Sequence, residues 1–386
     1  MLFDGRSHED VEALLAKVGK NETEPLHVSH RLGVSDADAT ELLGIIEARS
    51  RNKKNPDVRF CQPDDVRFGT HADVARHRAK RLACDTLIEA GAGVGMHTLA
   101  FAATCKKVVA VEIDGRKAAY IKANLAAVGV TNVEVVEGDV MALADSLPKA
   151  DVIFLDPARA PQEAARDFSS SFSPPLPQFI ERFSSNTKRI AIELPPHMHD
   201  IPLQAQHELE YISVDGELRR LTAYFGTLVN APRSAVVLPA GESVAGVPGA
   251  LPDTGELGNY LFEVDEAVVA AGLTALAAKD AKLFSADKHV LLTSDKHKHS
   301  ALFRNTLSVV AACPPKDDEI IRLLKLAGAG KVILRAGVAP QRYWAERKKY
   351  EAQLDGSITV HLFITREQAI IARKDRGVSD RGVSRR

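Results

Sequence analysis

Leu87-Ile88-Glu89-Ala90-Gly91-Ala92-Gly93-Val94-Gly95-Met96-His97-Thr98-Leu99-Ala100-Phe101 begins as an apolar strand, breaks into glycines and resumes at helical spacing. Glycine takes positive φ without a Cβ penalty, so the backbone turns sharply and can approach a ligand closely. The helix start behind it offers unpaired N–H groups. The stretch therefore reads as a cofactor cradle between a strand and a helix. Its spacing narrows the choice of cofactor. A dinucleotide fingerprint, Gly-x-Gly-x-x-Gly, would place its third glycine at position 96, where Met96 stands. Instead Glu89 is followed by Gly91, Gly93 and Gly95, a glycine at every second position.

That pattern resembles motif I of class I S-adenosylmethionine-dependent methyltransferases. The resemblance implies an α/β fold with a Rossmann-like sheet, and S-adenosylmethionine held at Glu89, Gly91, Gly93 and Gly95. The strands that follow each end in a polar residue, on the side where open α/β sheets bind ligands. Val108 to Asp114 ends in carboxylates, and Glu112, with Asp114 beside it, is expected on the ribose. Asn132 to Val140 brings Asp139, followed by Val140, to the adenine. Asp151 to Leu155 runs into Asp156-Pro157-Ala158-Arg159, which places Asp156 beside both cofactor and acceptor.

With 386 residues, 45% apolar and 26% charged, the chain is expected to form two or three soluble domains. Lacking a run of about 18 apolar residues and a signal-like start at Met1-Leu2-Phe3-Asp4, it is expected in the cytoplasm and off the membrane. Cys61, Cys84, Cys105 and Cys313 form no Cys-x-x-Cys pair, so the expectation is reduced thiols and no metal site. Net charge is −1 but uneven. Of 50 basic and 51 acidic residues, 19 and 9 fall from Lys296 onward, leaving 31 and 42 before it. A basic last third on an acidic body points to a polyanionic partner.

In chain order, residues 1–70 read as a helical N-terminal region. Its basic cluster Arg49, Arg51, Lys53 and Lys54 is read as a charged helix end rather than a phosphate contact. A helix is expected over 70–81 with Thr70 as N-cap. Strands and helices then alternate through 71–240, the methyltransferase domain, and its last strands follow without helical spacing, so an antiparallel edge is expected. Glycine and proline crowd 241–257, read as a linker. A second α/β module follows, with one helix expected from Val268 to Ala278. The tail 375–386 repeats Asp-Arg-Gly-Val-Ser and is expected to be disordered.

Asp156, Pro157 and Arg159 are the candidate catalytic residues. Nitrogen-methylating enzymes carry Asp or Asn followed by Pro-Pro-aromatic, and this chain keeps the Asp-Pro start. The resemblance implies that Asp156 accepts a hydrogen bond from the target N–H and that Arg159 holds a phosphate or base edge. Uracil-C5 RNA methyltransferases share a similar Asp-Pro-Pro-Arg stretch but add a nucleophilic cysteine after the next strand. Here that position is Pro195-Pro196-His197, so nitrogen chemistry is the better reading.

The whole pattern resembles class I methyltransferases with a C-terminal THUMP-like domain. This implies a small ferredoxin-like element over 258–295, a THUMP-like domain over 296–374, and structured RNA, tRNA or rRNA, as partner. Lys296, Lys298, Arg304, Arg335, Arg342, Arg347, Lys348 and Lys349 are the expected RNA contacts; Tyr343 and Trp344 offer rings on which an exposed base could stack, with core packing the favoured reading. Three alternatives stay open: an NAD(P)-dependent oxidoreductase, a non-catalytic RNA-binding protein with a vestigial fold, and a methyltransferase for small molecules or proteins.

Overall fold

Parallel strands require long crossovers, and the alternation of apolar strands with helices after residue 86 supplies them. The computed structural model describes residues 3–19, 21–159, 172–202, 205–286 and 289–374. The tail 375–386 lies outside these. Two units are distinguished: Met1–Val214 with Arg219–Pro232, and Asp215–Leu218 with Arg233–Arg386.

The first unit opens with helices α1 (His8–Lys17), α2 (Pro25–Leu32), α3 (Asp36–Arg51), α4 (Pro63–Phe68) and α5 (Ala72–Arg81). Ser7 and Ser35 cap α1 and α3, each side chain accepting from a backbone N–H three residues on. The cap of α5 is His71, whose Nδ1 accepts from Asp73 N at 3.1 Å. Thr70, the expected cap, is buried instead, and its carbonyl accepts from Asn55.

The sheet elements follow as β1 (Thr86–Ala90), α6 (Met96–Ala102), β2 (Lys107–Glu112), α7 (Gly115–Ala127), β3 (Val133–Glu137), α8 (Val140–Leu143) and β4 (Val152–Leu155). After a two-residue pair, β5 (Ala158–Arg159) with β6 (Phe172–Ser173), come α9 (Leu176–Phe183), β7 (Ile190–Leu194), β8 (His207–Val214) and β9 (Glu217–Phe225). Strand order in this unit is β8-β9-β7-β4-β1-β2-β3. The run from β7 to β3 is parallel, and β9 lies antiparallel to β7. The doubly wound sheet with an antiparallel edge is as read from sequence.

The N-terminal helices share a core with the sheet domain. Val11, Leu42, Ile45 and Phe60 pack with Val94 and Met96 of the glycine turn and Tyr120 of α7. Asn124 of α7, fully buried, fastens this layer. Its Oδ1 accepts from Arg59 N and Phe60 N at 2.8 Å each, and its Nδ2 donates to Phe60 O at 2.9 Å and Val94 O at 3.0 Å.

In the second unit β10 (Arg233–Leu238) and β11 (Glu242–Gly246) form a hairpin closed at Gly241, where φ is 74°. The expected linker thus holds a strand, because glycine there turns the chain back on itself instead of loosening it. Then come β12 (Tyr260–Val264), α10 (Glu266–Ala270), α11 (Thr274–Ala278), β13 (Lys282–Ser285), β14 (Leu291–Ser294), β15 (Phe303–Cys313), α12 (Asp317–Leu326), β16 (Ala329–Ala336), α13 (Tyr343–Glu351), β17 (Ile358–Ile364) and β18 (Ala369–Lys374). Gly272, at φ 70°, splits the single helix expected over 268–278 into α10 and α11. The sheet order is β13-β14-β12-β15-β18-β17-β16. Stretches 258–295 and 296–374 are therefore joined in one sheet, through pairs such as Leu261 with Leu307, rather than divided into two modules. Helices α12 and α13 cover one face through Ile320, Leu324 and Tyr350. No helix among the described residues is long and apolar enough to cross a membrane.

Asn124→Leu should leave two donors and two acceptors buried without partners, at roughly 1–3 kcal/mol for each group that water cannot reach. We expect a total loss of about 3 kcal/mol or more, read as a lower urea midpoint with unchanged slope.

Candidate active site

The cradle is built by three left-handed glycines, Gly91, Gly93 and Gly95, with φ of 75°, 61° and 90°. Each has a distinct constraint. A Cβ on Gly91 would come within 2.5 Å of the Asp156 carbonyl oxygen, so the turn and the end of β4 touch there through backbone alone. Gly95 is the N-cap of α6. A Cβ on Gly93 would meet no atom within 4 Å, so this is where the backbone faces open space. Gly91 N and Ala92 N donate to Val111 O at the end of β2, which fixes the turn against the neighbouring strand.

The carboxylates at the strand ends hold this backbone. Glu112 accepts from Gly93 N at 2.7 Å through Oε2 and from Asp114 N at 2.9 Å through Oε1. A carboxylate has about four acceptor positions, so two remain for further donors such as a diol. Asp114 caps α7 by accepting from Arg116 N and Lys117 N. Asp139, exposed, caps α8 by accepting from Met141 N at 2.9 Å, and Val140 is buried beside it. The backbone of β1, β2 and β3 thus brings Glu89, the glycines, Glu112, Asp114 and Asp139 to the same edge of the sheet.

Asp156 follows β4, its N–H donating to Ala90 O at 3.0 Å. Pro157 is buried, and β5 pairs Arg159 backbone with Phe172. Behind Asp156 lies a polar cluster that the sequence reading did not assemble. Arg78 of α5 is 0% exposed. It donates to Glu193 Oε2 of β7 at 2.7 Å, to Thr222 Oγ1 of β9 at 2.8 Å and to His97 Nε2 of α6, and its guanidinium lies 4.9 Å from the Phe154 ring centroid. Arg220 pairs with the other oxygen of Glu193 at 2.7 Å. Because arginine only donates, His97 Nε2 must accept, and the imidazole proton sits on Nδ1.

His97, Asp156 and Glu193 offer ligand atoms within 4.8 Å of one another, the donor set of a cation site. The cation already in contact with two of them is the Arg78 guanidinium. A second buried pair stands next to it: Arg81 bonds Glu208 and Glu210, and its guanidinium lies 3.6 Å from the Tyr224 ring centroid.

Protonation follows from burial. Desolvation pushes Glu89 up to about 8, reinforced by Asp156 and Glu112 and opposed by the Thr98 hydroxyl, which donates to Glu89 Oε2 at 2.6 Å. Desolvation and the neighbouring Arg78 charge push His97 down to about 3. Both groups are neutral at pH 7, so the net charge at the strand ends comes from Asp156, Glu112, Glu193 and the two arginines.

In the second unit, most expected RNA contacts carry an acidic partner. Arg304 pairs with Glu266 at 3.2 Å, Arg335 with Glu263 at 3.6 Å, Arg342 with Glu346 at 3.0 Å and Arg347 with Glu351 at 2.9 Å. Lys298 pairs with Asp280 and Lys349 with Asp317. Lys296 and Lys348 are exposed. Tyr343 packs on the core as read, but Trp344 is 63% exposed, with Arg347 over its ring.

Comparison with known proteins adds to this picture. Residues 72–150 match the family described as ribosomal RNA adenine dimethylase. An uncharacterized S-adenosylmethionine-dependent methyltransferase of Mycobacterium tuberculosis is 27% identical over 209 residues, 53% of this chain and 57% of that protein. The chain thus spans little more than half the length of this curated relative. A protein-L-isoaspartate O-methyltransferase of Methanoregula boonei is 51% identical over 55 residues, 14% of this chain and 25% of that protein. Among solved structures, a provisionally named methyltransferase of Porphyromonas gingivalis W83 superposes with a TM-score of 0.76 at 16% identity, covering 96% of this chain and 99% of that one.

The two neutral groups make opposite contributions to stability. For His97, the unfolded state holds more protons between pH 3 and its ordinary 6.5, so stability rises with pH across that window. For Glu89, the folded state holds more between 4.5 and 8, so stability falls with rising pH. They oppose each other between pH 4.5 and 6.5. Relative to the native chain, Glu89→Gln should tilt the stability profile upward with pH there by about 1.4 kcal/mol per unit, and His97→Gln should tilt it the other way. Urea titrations at three pH values check both signs.

The strand order, the three-glycine turn after β1 and the superposition over nearly the whole chain give this protein the fold of class I S-adenosylmethionine-dependent methyltransferases.

Proposed function

We propose that the chain is an S-adenosylmethionine-dependent methyltransferase acting on a base nitrogen of structured RNA, tRNA or rRNA. The observation that carries this reading is the contact between Gly91 and the Asp156 carbonyl, which joins the cofactor turn to the acceptor carboxylate without an intervening side chain. S-Adenosylmethionine, when bound, supplies an electrophilic methyl group. The chain's own residues do the rest. The open side of Gly93 admits the cofactor backbone-first, Glu112 takes the ribose diol on its remaining lone pairs, and Asp139, with Val140, lies at the adenine. Asp156 accepts the acceptor's N–H and points the nitrogen lone pair along the transfer line, where alignment is worth more than acid–base help. The ribosomal RNA adenine dimethylase match over 72–150 supports an RNA base as acceptor.

A second reading, a small-molecule or protein acceptor, is favoured by the acidic partners of Lys298, Arg304, Arg335, Arg342, Arg347 and Lys349, which reduce the charge available to phosphates. Labelled S-adenosylmethionine incubated with total RNA, followed by nucleoside analysis, separates the two. On the RNA reading, label enters a methylated base and binding weakens steeply with salt; label confined to protein or small molecules sinks it.

Two variants separate binding from chemistry. Gly93→Val forces a branched side chain into a left-handed backbone on the cofactor side, so affinity for S-adenosylhomocysteine should fall at least about tenfold by calorimetry. Asp156→Ala should keep that affinity while single-turnover methylation falls by about a hundredfold or more. A normal rate in Asp156→Ala would move the acceptor role to another residue.

A further inference from the structure

The sheet of the second unit is rolled. Glu263 on β12 and Arg335 on β16 are four strand steps apart in the order β12-β15-β18-β17-β16, which in a flat sheet is about 19 Å. Their side chains nevertheless approach to 3.6 Å. Leu261, Leu291, Leu307, Phe363 and Ile370 fill the inside of the roll. One end is polar instead. Glu263, 1% exposed, accepts from Asn305 at 2.6 Å and lies 3.3 Å from His289 Nδ1. His361 is buried behind Phe363, with its rings stacked at 6.3 Å.

Such a cluster is costly inside a small β-structure, since each buried ion loses several kcal/mol of hydration before pairing returns any of it. Here pairing is incomplete: Arg335 Nε, His361 Nδ1 and Glu263 Oε1 are buried without a hydrogen-bond partner. The polar end opens into a cleft of about 460 Å³ lined by Ser285, His289, Arg335, Phe363, Thr365 and Arg366 among others. That volume suits a ligand of nucleotide size. Arg335 of β16, His289 just before β14 and the exposed Arg366 just after β17 all line it. Glu263 is covered by Asn305, His289 and Arg335, so it aligns these groups without facing the opening with a bare carboxylate.

We propose that this cleft binds a phosphate monoester, gripped by the guanidinium groups of Arg335 and Arg366 with His289 as a third donor. Donors brought to one cleft by three separate elements can meet different oxygens of a tetrahedral oxyanion, and a guanidinium fork suits phosphate oxygens. The phosphate belongs either to a free nucleotide or to the end of a nucleic acid strand. The inference does not depend on the methyl-transfer reading, and its readout is binding rather than turnover.

The test is calorimetry of the full chain with inorganic phosphate, adenosine 5′-monophosphate, and an oligoribonucleotide with and without a 5′-phosphate. We expect saturable binding of the phosphate compounds, weakened about tenfold or more by Arg335→Gln and by Arg366→Gln. Arg335→Gln removes a counterion from buried Glu263 and can lower stability, so the exposed Arg366→Gln, checked for an unchanged thermal transition, carries the decision. Preference for the 5′-phosphorylated strand over the mononucleotide identifies a nucleic acid end as the source, and the reverse identifies a free nucleotide. Absence of saturable binding by every phosphate compound, or equal affinity in wild type and Arg366→Gln, overturns the proposal.

Discussion

A guanidinium with no access to water must find all its compensation inside the protein, and the first unit is arranged around that requirement at Arg78. Desolvation pulls its pKa down, but Glu193, Tyr224 and Asp156 together more than restore it, so the group stays charged. The partners come from different elements: Glu193 from β7, Thr222 from β9, His97 from α6 and the Phe154 face from β4. Breaking a buried pair of this kind costs about 3–5 kcal/mol, because the surviving charge is stranded. One side chain therefore ties the helix before the sheet and the glycine-turn helix to three successive strands, β4, β7 and β9. Burial, aided by the positive charge of the same network, keeps His97 unprotonated and leaves its Nδ1 as a donor.

The surroundings of Asp156 are graded by burial. Glu89 lies deepest and is neutral at pH 7, while Asp156 is only partly buried at the sheet edge. Burial first, and then the neighbouring Asp156 and Glu112 carboxyls, hold Glu89 in its neutral form. Glu89 is a reserve of negative charge at this edge, ionising as pH passes about 8 or when positive charge is brought close. Glu112 occupies an intermediate position, since backbone N–H groups of Gly93 and Asp114 already solvate it.

Much of this was legible in the sequence because period and punctuation carried it. The glycines at every second position, the apolar runs ending in acids and the Asp-Pro turn mark out β1 to β4 and the edge where their carboxyl ends gather. Arg78 was harder. Its signal is that position 78 falls on the apolar stripe of its helix, with Val74, Ala75, Ala79 and Leu82, which are all buried. A charged residue on that stripe, and an acid within the apolar strand Ile190-Ala191-Ile192-Glu193-Leu194, are separate oddities until the fold brings them together. The second unit is less legible, since a glycine there does not announce whether it turns the chain within a sheet, breaks a helix or ends a domain. Gly241 and Gly272 each reverse or break an element locally, and no periodicity announces that β12 pairs with β15 across more than forty residues.

The fastening of the N-terminal helices by Asn124 bears on how the chain emerges during synthesis. Phe60 and its apolar neighbours find their hydrogen-bonding partner 64 residues later in the sequence. At about 5–20 residues per second, that partner leaves the ribosome roughly 3–13 s after them. For that interval α1 to α3 present an uncovered apolar face. The acidic first turns of α1 and α3, with the capping serines beside them, favour these helices locally before the rest of their core arrives.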